Sequence, residues 1–194
     1  MCSLGESSSV RILLFVCLLS LLLILDGCGK GRSTVARREA CSLVSKEEVQ
    51  LVQNAPVNET KSSEQADGVF LVSQCFYTAG EFSKSVNLAL VQKNPNQRDK
   101  RSPRDFWKEK FGRYDASDKD RATKAGEERE KETIPPKKIG GVGDDAYWVG
   151  NRFGGILYVL KGDCFISIGL GGTDDEQTKL DKSKVLAQRA VQRL

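Results

Sequence analysis

Histidine is absent from all 194 residues, and that absence removes several mechanisms together. Without imidazole, a serine or cysteine nucleophile has no histidine base, and zinc and haem lose a principal ligand. Acid–base chemistry is left to carboxylates, lysine, tyrosine and cysteine. The six cysteines include no C-x-x-C pair, so the spacing of a zinc site is missing as well. No apolar run reaches the roughly 20 residues that carry a helix across a bilayer. Nor is there an excess of one charge: a net +4 among 29% charged residues describes a surface of mixed sign, which excludes nucleic acid as the expected partner.

The uncharged run Ile12 to Leu25 follows a lone Arg11. It is short for a membrane span and suits the core of an export signal. It ends in Leu25-Asp26-Gly27-Cys28, which resembles the lipobox of bacterial lipoproteins. The resemblance implies that residues 1–27 are a signal peptide, that cleavage leaves Cys28 as the new N-terminus, and that its sulfur carries the lipid. Cys17 follows the bulky Phe15 and Val16, and Cys2 precedes the apolar core, so Cys28 alone qualifies. Asp26 departs from the usual Ala, Ser, Thr or Val, and Glu6 interrupts a start that should be positive. An uncleaved signal anchor and ordinary secretion are the alternatives, and all three export the domain. A lipid anchor makes a membrane the first partner, on the outer side of the cytoplasmic membrane or in the outer membrane. In a bacterium with an outer membrane, Gly29 stands where an Asp would resemble an inner-membrane retention signal, which favours the outer location.

Residues 28–40, rich in Gly, Ser, Lys and Arg, read as a tether, and residues 41–194 as one domain, long enough to bury a core. Ser45-Lys46-Glu47-Glu48 is a capping box with Val44 and Val49 placed as a hydrophobic staple, predicting a helix to Gln53. Asn54-Ala55-Pro56 ends it, and the polar stretch Asn58 to Gly68 is expected to be a loop. Phe70–Ala79 and Ser85–Val91 predict an antiparallel hairpin across Gly80-Glu81-Phe82, with Val86, Leu88 and Leu90 on one face. Ser102-Pro103-Arg104-Asp105 starts a second helix whose Trp107, Phe111 and Tyr114 recur at helical spacing, as core or as a ligand shelf. The charge-rich segment 115–138 has no apolar face and is expected to be a solvated arm or loop, with docking to an anionic polymer or lipid headgroup as its functional alternative.

Ala146–Val149, Ile156–Leu160 and Cys164–Leu170 then predict a meander with turns at residues 151–155 and 161–163. Both faces of Ile156–Leu160 are apolar, so that strand must be covered on two sides. Thr173-Asp174-Asp175-Glu176 reads as a capping box opening a last helix, its stripe formed by Leu180, Ala187, Val191 and Leu194 beside Leu186 and Ala190. Gly141-Val142-Gly143-Asp144-Asp145-Ala146 matches a loose G-x-G-x-x-A but leads into a strand, so a turn is expected and not a phosphate cradle. Asp144 with Asp145, and Asp174 with Asp175, lack the alternating oxygen ligands of an EF-hand loop, and turn and capping roles suit them. Neither a metal nor an organic cofactor is expected. In an oxidising compartment, two of Cys41, Cys75 and Cys164 should be bridged, and position favours Cys41 with Cys75. Cys164 is left as a strand thiol alternating with Ile166, Ile168 and Leu170, and burial is expected for it.

Cys41-Ser42-Leu43-Val44-Ser45-Lys46-Glu47-Glu48-Val49, Gln74-Cys75-Phe76-Tyr77 and Gly141-Val142-Gly143-Asp144-Asp145-Ala146-Tyr147 together resemble a family of short bacterial lipoproteins with a Cys-Leu-Leu-Thr-type start and a second cysteine before an aromatic residue. Val44 and Ser45 replace the usual Leu and Thr. The resemblance spans most of the chain after Cys28. It implies an exported α+β domain with the Cys41–Cys75 pair and brings no catalytic residue. The resulting expectation is an antiparallel sheet with packed helices, lipid-anchored, acting as a binding or accessory module of the cell envelope toward a polymer or protein. The rival is an enzyme working through Asp144, Asp145 and Glu81; a purely structural envelope protein is the third reading.

Overall fold

A computed structural model describes residues 37–96, 101–115 and 134–194. The leader, Cys28, nearly all of the tether and residues 116–133 of the charged segment lie outside the described residues. Seven strands form one antiparallel sheet in the order β1-β2-β3-β7-β6-β5-β4. They are β1 (Val57–Ala66), β2 (Phe70–Ala79), β3 (Val86–Lys93), β4 (Lys137–Lys138), β5 (Asp145–Val149), β6 (Ile156–Lys161) and β7 (Cys164–Leu170). Helices α1 (Lys46–Gln53), α2 (Pro103–Phe111) and α3 (Glu176–Gln192) complete an α+β architecture. Two antiparallel runs, β1 to β3 and β4 to β7, join where β3 pairs with β7, Val86 facing Leu170 and Val91 facing Phe165.

One face of the sheet carries the main core. Cys75 and Tyr77 of β2, Leu88 and Leu90 of β3, Ile166 and Ile168 of β7, and Leu157 and Val159 of β6 meet the apolar sides of α1 and α3. Ser45 and Glu48 cap α1 reciprocally, as their spacing predicts, and Val44 and Val49 are both buried beneath it. A disulfide joins Cys41, in a short 3-10 turn (Ala40–Ser42), to Cys75 of β2. Tyr77 donates its hydroxyl to the Val44 carbonyl at 2.6 Å, tying the same turn to the sheet. The opposite face is covered by α2 through Trp107, Phe111, Tyr147, Leu160 and Phe165. β6 thus sends Leu157 and Val159 into one core and Leu160 into the other, which is why both its faces are apolar.

Four expectations need correction. Asn58 to Gly68 is not a loop: most of it is β1, paired with β2 from Val57 opposite Ala79 to Ala66 opposite Leu71. Every β1 residue after Val57 is exposed. Main-chain pairing asks nothing of the side chains, and a polar, charged strand is what an open sheet edge tolerates. Lys137 and Lys138, expected in the solvated segment, pair with Trp148 and Tyr147 as β4. The last helix is capped by Asp175 and not by Thr173: the Asp175 carboxylate accepts from the Thr178 N–H at 3.0 Å and the Thr178 hydroxyl at 2.7 Å. Asp174 turns aside to pair with Lys182 at 2.5 Å. Cys164 shares the face of Ile166 and Ile168 but is only half-buried, because it opens β7 directly after the Gly162 turn.

The described part of the chain begins at one end of the sheet. Arg37 pairs with Glu64 of β1, Arg38 exchanges two hydrogen bonds with the Gln92 side chain of β3, and the Ala40 N–H donates to Ser73 at 2.9 Å. Residues 37–40, read as the end of the tether, are therefore already fastened to the fold. At the other end lie the β2–β3 connection, the β5–β6 turn at residues 151–155 and the loop from β7 into α3, since Val86 faces Leu170 and Ile156 faces Gly169. Ser73 to Ala79 alone spans about 20 Å of extended chain between the two ends.

Candidate functional site

The acids named from the sequence separate. Asp144 and Asp145 sit at the entry end beside α2, whereas Glu81 lies in the β2–β3 connection at the far end. Asp144 accepts from the Gly162 N–H at 2.8 Å and from Lys161 and Arg104 at 3.1 Å each. The Gly162 N–H above all, then the Lys161 and Arg104 charges, hold its carboxyl below the usual carboxylate range. Glu81 is lowered likewise, by the Ser83 hydroxyl and then Lys84. Asp145 accepts from the Trp107 indole at 3.0 Å and faces Lys138 at 3.5 Å. Each acid has a bonding or pairing role, and neither Asp144 nor Glu81 is held protonated as a general acid must be.

The glycine motif around these acids also has a structural cause. Gly143 has φ +64°, and a Cβ there would stand 2.4 Å from a Val159 methyl and 2.5 Å from the Leu160 carbonyl. The turn presses against β6 so closely that only glycine fits. The cleft beside it, about 330 Å³, is walled by Trp107, Phe111 and Tyr147 with Arg104, Lys138 and Asp145 at its rim. Phe111 stacks on Tyr147 at 4.8 Å between centroids and Trp107 lies 4.6 Å from Phe111. Trp107, Phe111 and Tyr147 are buried, so of the stripe read from the sequence Trp107 and Phe111 are core, with Tyr114 half-buried against them. The Tyr147 hydroxyl is buried without a hydrogen-bond partner among the described residues.

A larger concavity opens at the far end. This groove, about 710 Å³, is bordered by Phe82 from the β2–β3 connection, Arg152 and Phe153 from the β5–β6 turn, Gly171 and Thr173 from the loop into α3, and Lys179 of α3. Phe82 and Phe153 are 71% and 68% exposed. Arg152 stacks on Phe153, 4.7 Å from the ring centroid. Lys179, by contrast, is 5% exposed and donates to the Phe153 carbonyl at 2.7 Å. Its stem runs under the turn through a gap that Gly154 leaves: at φ +118° a Cβ on Gly154 would come within 2.7 Å of the Lys179 Cδ.

Sequence reasoning did not single out these groove residues. A signal was present, because both connections carry a phenylalanine among glycines and polar residues, where turn chemistry does not ask for one. Lys179 had no such mark; it adjoins Leu180 on α3, and only the neighbouring β5–β6 turn makes it interior. Cys164 is a thiol that burial pushes above its ordinary value, and its Sγ lies 3.1 Å from the Lys161 carbonyl, so it is not a poised nucleophile. Among the described residues no helix is long and apolar enough to cross a membrane. No family model, no curated protein and no solved structure matches the chain.

Proposed function

We propose that the chain is a lipid-anchored binding module of the bacterial cell envelope, allied to the short lipoproteins its cysteine motifs resemble, and that the groove bordered by Phe82 and Phe153 is its binding surface. The observation that carries this reading is the pair of large apolar side chains left in solvent on one concavity. Exposed aromatics bordering a concave surface are what a protein keeps to bury against a partner. Catalysis by Asp144, Asp145 and Glu81 has less support, since these acids lie at two ends of the sheet.

The anchor and the groove are tested separately. The parent chain is expected to incorporate a palmitate analogue and Cys28→Ala to lose it; equal labelling overturns the lipobox. The double variant Phe82→Ser, Phe153→Ser is expected to keep its urea midpoint, because both rings are exposed. In detergent, which removes membrane retention, it should no longer sediment with a delipidated envelope fraction that retains the parent. Equal retention overturns the groove.

A further inference from the structure

Lys179 is the one buried ammonium in the groove, and its bonding is incomplete. An ammonium offers three donors, and among the described residues only the Phe153 carbonyl accepts one. No carboxylate lies in ion-pair range of Lys179 among the described residues. The acids around it are engaged elsewhere: Asp174 pairs with Lys182, Glu176 accepts from the Trp148 indole at 2.8 Å, Asp175 caps α3, and Glu81 pairs with Lys84. Arg152 has no carboxylate partner among the described residues either. A buried charge without a counterion is costly unless something supplies one, and the fold makes room for it by keeping glycine at position 154. Helix α3 supplies little here, because Asp175 already occupies its N-terminus.

We propose that the groove is an oxyanion-binding site, in which Lys179 and Arg152 take a phosphate or carboxylate borne on an apolar group that packs between Phe82 and Phe153. This rests on the groove as the binding surface and adds the chemical class of its ligand. The apolar wall and the buried cation are adjacent, so neither a bare anion nor a neutral apolar molecule satisfies both. Asp174 at the rim remains neutralised by Lys182, which leaves the groove's net charge positive.

Calorimetric titration of the full-length chain in detergent tests the proposal, with phenyl phosphate and phenylacetate as probes and inorganic phosphate and benzyl alcohol as the two half-ligands. At least one probe is expected to bind tenfold or more tightly than either half-ligand, and the better of the two identifies the oxyanion. Lys179→Met, which keeps the channel under Gly154 filled, should lower that affinity at least tenfold and leave benzyl alcohol unchanged. Arg152→Gln and Phe153→Ser, both at exposed positions, should each lower it at least threefold, and they decide the matter if the methionine variant does not fold. Probes no tighter than the half-ligands, or affinity indifferent to these substitutions, overturn the proposal. If Phe82→Ser, Phe153→Ser loses envelope retention while Lys179→Met keeps it, the oxyanion is wrong and the groove stands.

Discussion

Glu48 shows how one side chain serves two scales of structure. Its carboxylate accepts from the Ser45 N–H at 2.8 Å, closing the capping box of α1, and also from Arg189 at 3.0 Å and Arg193 at 2.7 Å on α3. The hydrogen bonds from Arg193 outweigh partial burial and bring its pKa down from 4.5 to about 2. Because the folded value is depressed, the stabilisation is complete above the unfolded value and is lost as pH falls through the folded one. The expected outcome is a urea midpoint that declines between pH 4.5 and about 2. Glu48→Gln should remove that component and cost about 1–2 kcal/mol at neutral pH, after allowance for screening at the surface. A variant with the parent's acid profile would show that the two arginines add nothing. The cap was legible in the sequence because Ser45 and Glu48 are three residues apart. The arginines, 141 and 145 residues away, were not.

At the scale of elements, the disulfide fastens a 3-10 turn to a central part of β2 across a sequence separation of 34. A loop of that length is worth about 3–4 kcal/mol in the chain-entropy model. Cys41→Ala, Cys75→Ala is therefore expected to lower unfolding free energy by about that amount in urea, and a loss under about 1 kcal/mol would show that the turn holds without the bond. Peptide mapping without reduction should find Cys41 joined to Cys75, with Cys164 unlinked. β1 teaches the opposite lesson about elements. Its side chains carry no alternation, so periodicity could not reveal it. β2 nevertheless offers it a row of main-chain partners, and those partners decide its structure.

For the whole molecule, the decisive contact is β3 against β7, which unites two strand runs far apart in sequence. The main core contains Trp148 and the smaller core under α2 contains Trp107. Both rest on β5, whose Tyr147 faces one core and Trp148 the other. Loss of one core should expose the other. Urea unfolding followed by fluorescence in Trp107→Phe and in Trp148→Phe is expected to coincide, within each variant, with unfolding followed by far-UV circular dichroism. Separate transitions in either variant would show that the α2 cluster melts on its own.

Local structure was legible in neighbouring residues: the caps of α1 and α2, the hairpin of β2 and β3, the last three strands, and the two-sided burial of β6. Each is written in residues a few positions apart, through backbone geometry and side-chain period. Tertiary structure alone decided the β1 edge, the pairing of Glu48 with two distant arginines and the cap at Asp175 in place of Thr173. It also decided the groove. Phe82, Phe153 and Lys179 belong to three separate elements, and no period relates them. They meet because the register of β3 with β7 and β7 with β6 brings two turns and the start of α3 to one end of the sheet.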